Sequence, residues 1–149
     1  MRIYYTDGSA TGNGTENSIG GFGIVEVDEN NNILWQYQEN NLKYETNNSM
    51  ELSAILYALN HIETEEASFI KPIIYSDSAY CVNLINDWMY SWERNGWKRP
   101  KNQEVKNLNL IKQIFELANL AEIKKVKGHS DNKWNEYADK LATGVYKIK

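Results

Sequence analysis

Two aspartates lie where predicted strands end, a position at which carboxylates can act on a substrate. Asp7 follows the β-branched and aromatic run 3–6, and Asp77 closes the short apolar run 72–77. Both runs predict strands. Because the carboxyl ends of neighbouring strands in an α/β sheet form the usual site crevice, we expect Asp7 and Asp77 to face each other. An Asx turn at Asp7 and a helix cap at Asp77 are the structural alternatives.

Glu51 is in phase with the buried stripe of a predicted helix over 46–62. Ile55, Ala58 and Ile62 follow it at i+4, i+7 and i+11, so its side chain is expected on the apolar face. A buried carboxylate is costly unless it has a partner, a proton or a metal ion. The alternative is a first-turn glutamate that the helix dipole favours.

A fourth acid, Asp139, lies beside the apolar stripe of the last predicted helix, where a solvated surface acid is the alternative. Four carboxylates in one crevice would repel one another, and a divalent cation would relieve the repulsion. Ligands that are all oxygen suit Mg²⁺ or Mn²⁺, and the sequence has no Cys/His cluster that would suggest zinc. Two such ions about 4 Å apart can hold the attacking water and the leaving oxygen of a phosphodiester.

The elements that would position these acids alternate in an α/β pattern. The predicted order is β-β-β-α-β-α-α-α-β-α, with the first strand ending at Asp7 and a hairpin around 28–32. Ile33, Trp35 and Tyr37 are expected on the half-buried face of that hairpin. The last strand is expected at 121–126 and the last helix at 134–145. Tight turns make the first three strands antiparallel, whereas the two later strands follow helices and run parallel to the first. The prediction is a mixed five-stranded sheet with helices packed on its faces.

Length and composition indicate one domain over residues 1–149. The hydrophobic fraction is 42%, no apolar run reaches the roughly 18 residues of a membrane span, and the N-terminus has no signal-peptide pattern. The single cysteine, Cys81, cannot form an internal disulfide. These features favour a cytoplasmic protein, and nothing in the pattern demands more than a monomer.

The charge is unevenly distributed along the chain. The net charge is −4, yet segment 94–106 contains five cations and one acid. A basic patch on an acidic body is compatible with phosphate binding, and a solvated basic loop is the alternative.

Four segments resemble the sequence motifs of the ribonuclease H family, in that family's order and spacing. They are YTDGS at 5–9, TNNSMEL at 46–52, YSDS at 75–78, and VKGHS at 126–130 followed by NEYADKLA at 135–142. The resemblance implies the ribonuclease H-like fold. It also implies an endonuclease that hydrolyses the RNA strand of RNA–DNA hybrids with two metal ions, giving 5′-phosphate and 3′-hydroxyl ends. Asp7, Glu51, Asp77 and Asp139 would hold two Mg²⁺ ions, with Mn²⁺ as a substitute. His129 would assist proton transfer or product release, since imidazole titrates near neutral pH.

A second resemblance concerns segment 88–99, WMYSWERNGWKR, which is similar to the basic handle of the cellular and bacterial type. It implies contacts with the DNA strand through ring faces and phosphates, made by Trp88, Trp92, Trp97, Lys98 and Arg99. The alternative is that Trp88 and Trp92, four residues apart on a helix, pack in the core. Glu93 replaces a cation that the family's handle carries, which predicts weaker or more salt-sensitive binding of the hybrid.

Further substrate contacts follow from the same resemblance. Asn13, Asn47 and Asn48 match positions that contact the hybrid near the cut, where amides can read a 2′-hydroxyl. Thr46 and Asn107 match a pocket that holds a DNA phosphate. The loop at 12–19 is longer than in many bacterial members, and Ala79 stands where many have a glutamine, so one base contact is expected to be missing.

Three other functions are compatible with parts of the pattern. One is an enzyme of the same broad fold that acts on DNA, such as a strand-transfer or exonuclease domain. Another is a non-catalytic module that binds RNA–DNA hybrids, although the four intact acids argue against a decayed site. The third is a ribonuclease H domain derived from a reverse transcriptase, although Met1 and the complete handle favour a free-standing protein.

Overall fold

The computed structural model of the chain describes residues 1–12, 16–65, 70–126 and 132–148. Five strands form the main sheet: β1 (Ile3–Thr11), β2 (Ile19–Val27), β3 (Ile33–Lys43), β4 (Ile73–Ser76) and β7 (Glu122–Lys125). Two further strands form a small separate ribbon, β5 (Lys98–Arg99) and β6 (Gln103–Glu104). The helices are α1 (Asn47–Thr64), α2 (Ala79–Asn83), α3 (Met89–Arg94), α4 (Leu108–Leu117) and α5 (Lys133–Thr143). A π-helical stretch, Leu84–Trp88, joins α2 to α3.

The main sheet has the order β3-β2-β1-β4-β7. β1, β2 and β3 pair antiparallel, β4 pairs parallel with β1, and β7 pairs parallel with β4. This confirms the predicted mixed five-stranded sheet. The connections explain the strand directions, because a hairpin joins antiparallel strands whereas a helical crossover returns the chain parallel to the strand before it.

Helices cover the two faces of this sheet. On one face α1 packs against β1 and β2, and its predicted apolar stripe is buried. Tyr4, Ile24 and Ile74 of the sheet belong to the same core cluster as this stripe. On the other face α5 packs against β1, β2 and β3, and Trp134 joins Val25 and Val27 in a smaller cluster. The acids of interest therefore lie on a sheet that is held between two helical layers.

Two predicted element ends were wrong. β1 does not end at Asp7 but continues to Thr11, because residues 8–11 keep pairing with β2, from Gly8↔Phe22 to Thr11↔Ile19. The pairing with β2 decides the conformation of this segment. The last helix ends at Thr143 because Gly144 adopts a left-handed φ of +79° and caps it.

Two side chains also lie elsewhere than predicted. Val145, the last residue of the predicted final helix at 134–145, lies beyond the observed end of that helix and is 68% exposed. Ile33, placed on the half-buried face of the hairpin with Trp35 and Tyr37, is exposed, whereas these two rings pack against the main core. Within the described residues, no helix is both long and apolar enough to cross a membrane.

Candidate active site

Three carboxylates from different elements meet at one edge of the sheet. Ligand oxygens of Asp7, Glu51 and Asp77 all lie within 4.8 Å of one another. The last β1–β4 pair is Tyr5↔Tyr75, so Asp7 lies just beyond the point where the two parallel strands separate. Asp77 directly follows β4, and Ser78, not Asp77, caps the following helix. The structure thus brings together three of the four acids that the sequence singled out.

Helix α1 approaches β1 closely enough to deliver Glu51 to this group. A Cβ atom on Gly8 would lie 2.2 Å from the carbonyl carbon of Met50 and 2.4 Å from the amide nitrogen of Glu51. Only glycine leaves room for this approach. The Gly8 amide lies close enough to the Glu51 carboxylate to lower its pKa, and the buried hydroxyl of Ser76 donates to Glu51 Oε2 at 3.4 Å. These contacts fix where the Glu51 carboxylate points.

The start of α1 is anchored by a capping box. The Thr46 hydroxyl accepts from the Ser49 amide at 3.0 Å, and the Ser49 hydroxyl accepts from the Thr46 amide at 2.9 Å. The next residue, Asn47, ties the helix to β1, because its Oδ1 accepts from the amide of Ala10 at 2.7 Å. The first turn of α1 is therefore attached to the strand that carries Asp7.

Burial makes negative charge costly at the acidic group, by which we mean Asp7, Glu51 and Asp77. The exposed fractions of Asp7 and Glu51 are 5% and 7%, whereas Asp77 is exposed. Burial raises the pKa of Asp7, and the charges of Asp77 and Asp139 raise it further. Burial also raises the pKa of Glu51 well above its usual value, with Asp7 as the next cause. Such a group needs protons or a cation as compensation, and its all-oxygen donors fit a hard divalent ion.

The fourth acid lies at the margin of this group. Asp139 is an exposed residue of α5, and its effect on the pKa of Asp7 indicates that it lies nearby. Among the residues that the structure describes, the grouping within 4.8 Å includes Asp7, Glu51 and Asp77 only. Two other predicted site residues, Asn13 and His129, lie outside the described residues.

The predicted substrate contacts around α1 and α4 have mixed environments. Asn48 is exposed, whereas the Thr46 hydroxyl and the Asn47 amide oxygen are engaged in the bonds described above. Asn107 precedes α4 with a left-handed φ of 60°, and its side chain makes no capping bond to that helix.

The predicted handle is built on tryptophans that pack inward. Trp88, Trp92 and Trp97 are each half-buried against the main core, which the packing alternative had predicted for Trp88 and Trp92. Trp97 meets Phe115 edge-on with 5.3 Å between ring centroids. Lys98 is exposed beside these rings.

Arg99, the second cation of the handle, is tied to the small ribbon. It is half-buried, and its Nη2 donates to Gln103 Oε1 at 2.8 Å. The handle therefore presents Lys98 to solvent, whereas the tryptophans and Arg99 are half-buried.

Sequence reasoning missed two residues that orient Glu51, namely Gly8 and Ser76. Ser76 could have been found from the sequence, because it is a polar residue in a short apolar strand. In the structure it is fully buried. Gly8 could not have been found in this way, because its role depends on how closely a helix some forty residues away approaches.

The chain is similar in sequence and in fold to known proteins. The sequence model of the RNase H family matches residues 1–147. A ribonuclease H of Clostridium botulinum is 43% identical over 94% of this chain and 91% of its own length. One from Acetivibrio thermocellus is 40% identical over 96% and 92%. Among solved structures, a foamy viral protease-reverse transcriptase in complex with RNA/DNA hybrid superimposes with a TM-score of 0.82. That match has 25% identity and covers 95% of this chain and 19% of the viral chain.

Proposed function

Because this chain belongs to the ribonuclease H family of endoribonucleases, we propose that it hydrolyses the RNA strand of RNA–DNA hybrids, leaving 5′-phosphate and 3′-hydroxyl ends. The observation that carries the proposal is the carboxylate trio of Asp7, Glu51 and Asp77 where β1 and β4 separate. A further support is the structural similarity to a viral protein bound to an RNA/DNA hybrid.

The trio is also the proposed metal site. We assign two Mg²⁺ ions, replaceable by Mn²⁺, to Asp7, Glu51, Asp77 and Asp139. The support is electrostatic, because two buried carboxylates with raised pKa values gain most from a cation that takes the place of their protons. When bound, such ions lower the pKa of water and neutralise charge on the reacting phosphodiester.

The protein's own groups would set the geometry of the reaction. The Gly8 amide and the Ser76 hydroxyl hold the Glu51 carboxylate in one orientation. The exposed side of Asp77 leaves the group open to a phosphate that approaches from solvent. We assign His129 a role in proton transfer or in the release of product, as its motif implies.

Further residues around the carboxylate trio are proposed to contact the substrate. Asn13, Asn47 and Asn48 would face the hybrid near the cut, and Thr46 and Asn107 would hold a DNA phosphate. Lys98 and Arg99 would contact the phosphates of the DNA strand, and Trp88, Trp92 and Trp97 would contact the strand through their ring faces. We further propose that residues 1–149 act as one domain.

One experiment separates this function from its competitors. A labelled RNA–DNA hybrid would be incubated with the protein beside RNA–RNA, DNA–DNA and single-stranded RNA, each with Mg²⁺, with Mn²⁺ and with chelator. Metal-dependent cutting of RNA only in the hybrid is the expected result. Binding of the hybrid without cutting in either metal would instead indicate a non-catalytic binding module. Preferential cutting of DNA–DNA would indicate a different enzyme of the same fold.

A further inference from the structure

A second surface lies beside the acidic group, on the sheet face to which α5 is bound. Tyr5 and Tyr75 are parallel neighbours on β1 and β4, and their rings stack with centroids 5.2 Å apart and planes 22° apart. Lys124 pairs with Tyr75 across β4 and β7, and Lys125 follows it. Lys125, the last residue of the edge strand β7, borders the same cavity as these side chains. We name the four residues Tyr5, Tyr75, Lys124 and Lys125 the tyrosine–lysine platform.

The platform lines a cavity and is not fully buried in the hydrophobic core. A cavity of about 300 Å³ is lined by the four platform residues together with Val126 and Asn132. Tyr5 packs against the small core cluster under α5, and Tyr75 stacks on Tyr5 but packs against neither core cluster of the described residues. Asn132 caps α5 and lies close enough to the Tyr5 hydroxyl to lower its pKa, against the larger effect of burial. Tyr5 therefore supports the stack from below, and Tyr75 is its outer ring.

The charge of the platform is positive. Lys124 and Lys125 are both exposed. Lys124 Nζ has one loose partner, Glu122 Oε2 at 3.7 Å, and in an exposed pair this adds little. Lys125 forms no ion pair with any residue that the structure describes. Two cations next to an aromatic stack are the combination that binds unpaired nucleotides, because the rings take base faces and the cations take phosphates.

The position of the platform relative to Asp7, Glu51 and Asp77 indicates which nucleic-acid strand it would bind. Tyr5 and Tyr75 each precede an acid of the trio by two residues, Asp7 and Asp77 respectively. Two residues of extended chain span about 7 Å. Since stacked nucleotides rise about 3.4 Å per step, a base on the platform is about two nucleotides from a phosphate at the trio. A nucleic-acid strand that reaches both the platform and the carboxylate trio is therefore the strand that is cut.

We propose that the tyrosine–lysine platform is a subsite for unpaired nucleotides of the RNA strand next to the cut. The inference rests on the proposed function, because it takes the cut strand to be RNA. Bases inside a duplex stack on each other and offer no free face, so the platform selects RNA that has left the hybrid. The enzyme therefore prefers to cut within about two nucleotides of a junction between hybrid and single-stranded RNA.

The test uses one labelled RNA whose central part is paired with DNA and whose ends are unpaired. Cuts are mapped to single nucleotides, and the measured quantity is the ratio of cuts within two nucleotides of a junction to cuts inside the hybrid. This ratio does not depend on enzyme concentration or on the folded fraction. A second substrate carries the unpaired ends on the DNA strand instead.

The wild-type protein is expected to enrich junction cuts several-fold on the first substrate only. K124Q/K125Q and Tyr75→Leu should each lower the ratio by roughly five-fold or more, the effect of losing a stacked base or its phosphate contacts. Tyr75→Phe keeps the ring face and should keep the ratio. The matched control is K43Q/K71Q, which removes the same charge from exposed lysines outside the platform and should leave the ratio unchanged.

Several results would overturn the platform while leaving the proposed function intact. They are hybrid cutting without junction enrichment, equal enrichment with unpaired DNA, and an unchanged ratio in K124Q/K125Q. Absence of any cutting with Mg²⁺ or Mn²⁺ would instead reject the proposed function. In that case, single-stranded RNA binding in chelator still tests the platform by fluorescence anisotropy. Equal affinity of wild type and K124Q/K125Q would then reject it.

Discussion

Gly8 of β1 lies directly against the backbone of Met50 in α1, at a distance that leaves no space for a side chain. The contact sets how far α1 stands from the sheet, and Glu51, the next residue of the helix, reaches Asp7 only because this distance is small. A change at Gly8 should therefore affect folding and the metal site together.

Gly8→Ala should cost about 3 kcal/mol of unfolding free energy or more, since backbone atoms cannot move aside as a flexible side chain can. It should also weaken binding of Mg²⁺, because Glu51 is displaced. Denaturant unfolding and calorimetric titration with Mg²⁺ measure the two effects.

Gly96→Ala is the control for this substitution, because Gly96 has a left-handed φ of +68° but nothing lies within 4 Å of an added Cβ. Its expected cost is about 1 kcal/mol, with Mg²⁺ binding unchanged. Equal losses of stability in the two variants would contradict the role given to the Gly8–Met50 contact.

Asp7→Asn should reduce hybrid cleavage on the order of a thousand-fold while the protein stays folded. In chelator the variant should unfold at the same or a higher temperature than the wild type, because the charged form of Asp7 is disfavoured in its buried place next to Glu51 and Asp77. Asp87→Asn, at an exposed position on the π-helical stretch, is the control and should change neither quantity. Near-normal turnover of Asp7→Asn would remove the central assignment.

The raised pKa values of Asp7 and Glu51 give the stability a defined dependence on pH. An acid whose pKa is higher in the folded state favours folding most below its unfolded pKa, which is about 4. That contribution is lost as the pH rises through the folded pKa. In chelator, this effect should therefore lower the melting temperature from about pH 5 to pH 8.

Added Mg²⁺ should offset this loss, and its stabilising effect should grow with pH because fewer protons compete for the same oxygens. Thermal unfolding across this range, with and without Mg²⁺, measures both effects. Asp7→Asn should show a smaller Mg²⁺ effect at every pH. A Mg²⁺ effect that is constant with pH in the wild type would mean that the carboxylates are already ionised and compensated in some other way.

Replacing Lys98 and Arg99 with Ala should weaken hybrid binding to a similar extent for all sequences, because phosphates carry no sequence information. The slope of log affinity against log salt should become less steep by about one for each phosphate that the variant no longer neutralises. K43A/K71A, which removes two exposed cations elsewhere, provides the comparison. Unchanged affinity at moderate salt in the handle variant would mean that the handle does not touch the substrate.

Local patterns were sufficient to predict much of the fold. Apolar periodicity located α1 and placed Glu51 on its buried face, and the structure confirms both. The strand endings placed Asp7 and Asp77 at one edge of the sheet, and their oxygens do lie close together. The mixed sheet followed from the order of strands and helices. These features are properties of a few consecutive residues or of chain order, which a sequence displays directly.

Contacts between distant segments were decided only by the tertiary structure. The extension of β1 beyond Asp7 depends on its pairing with β2, and the roles of Gly8 and Ser76 depend on the approach of α1. The stack of Tyr5 on Tyr75 exists because β1 and β4 pair in a particular register. Sequence alone determined which residues can do chemistry and on which element each one lies. Packing decided which of them meet, because a distance between remote segments depends on all the side chains that fill the space between them.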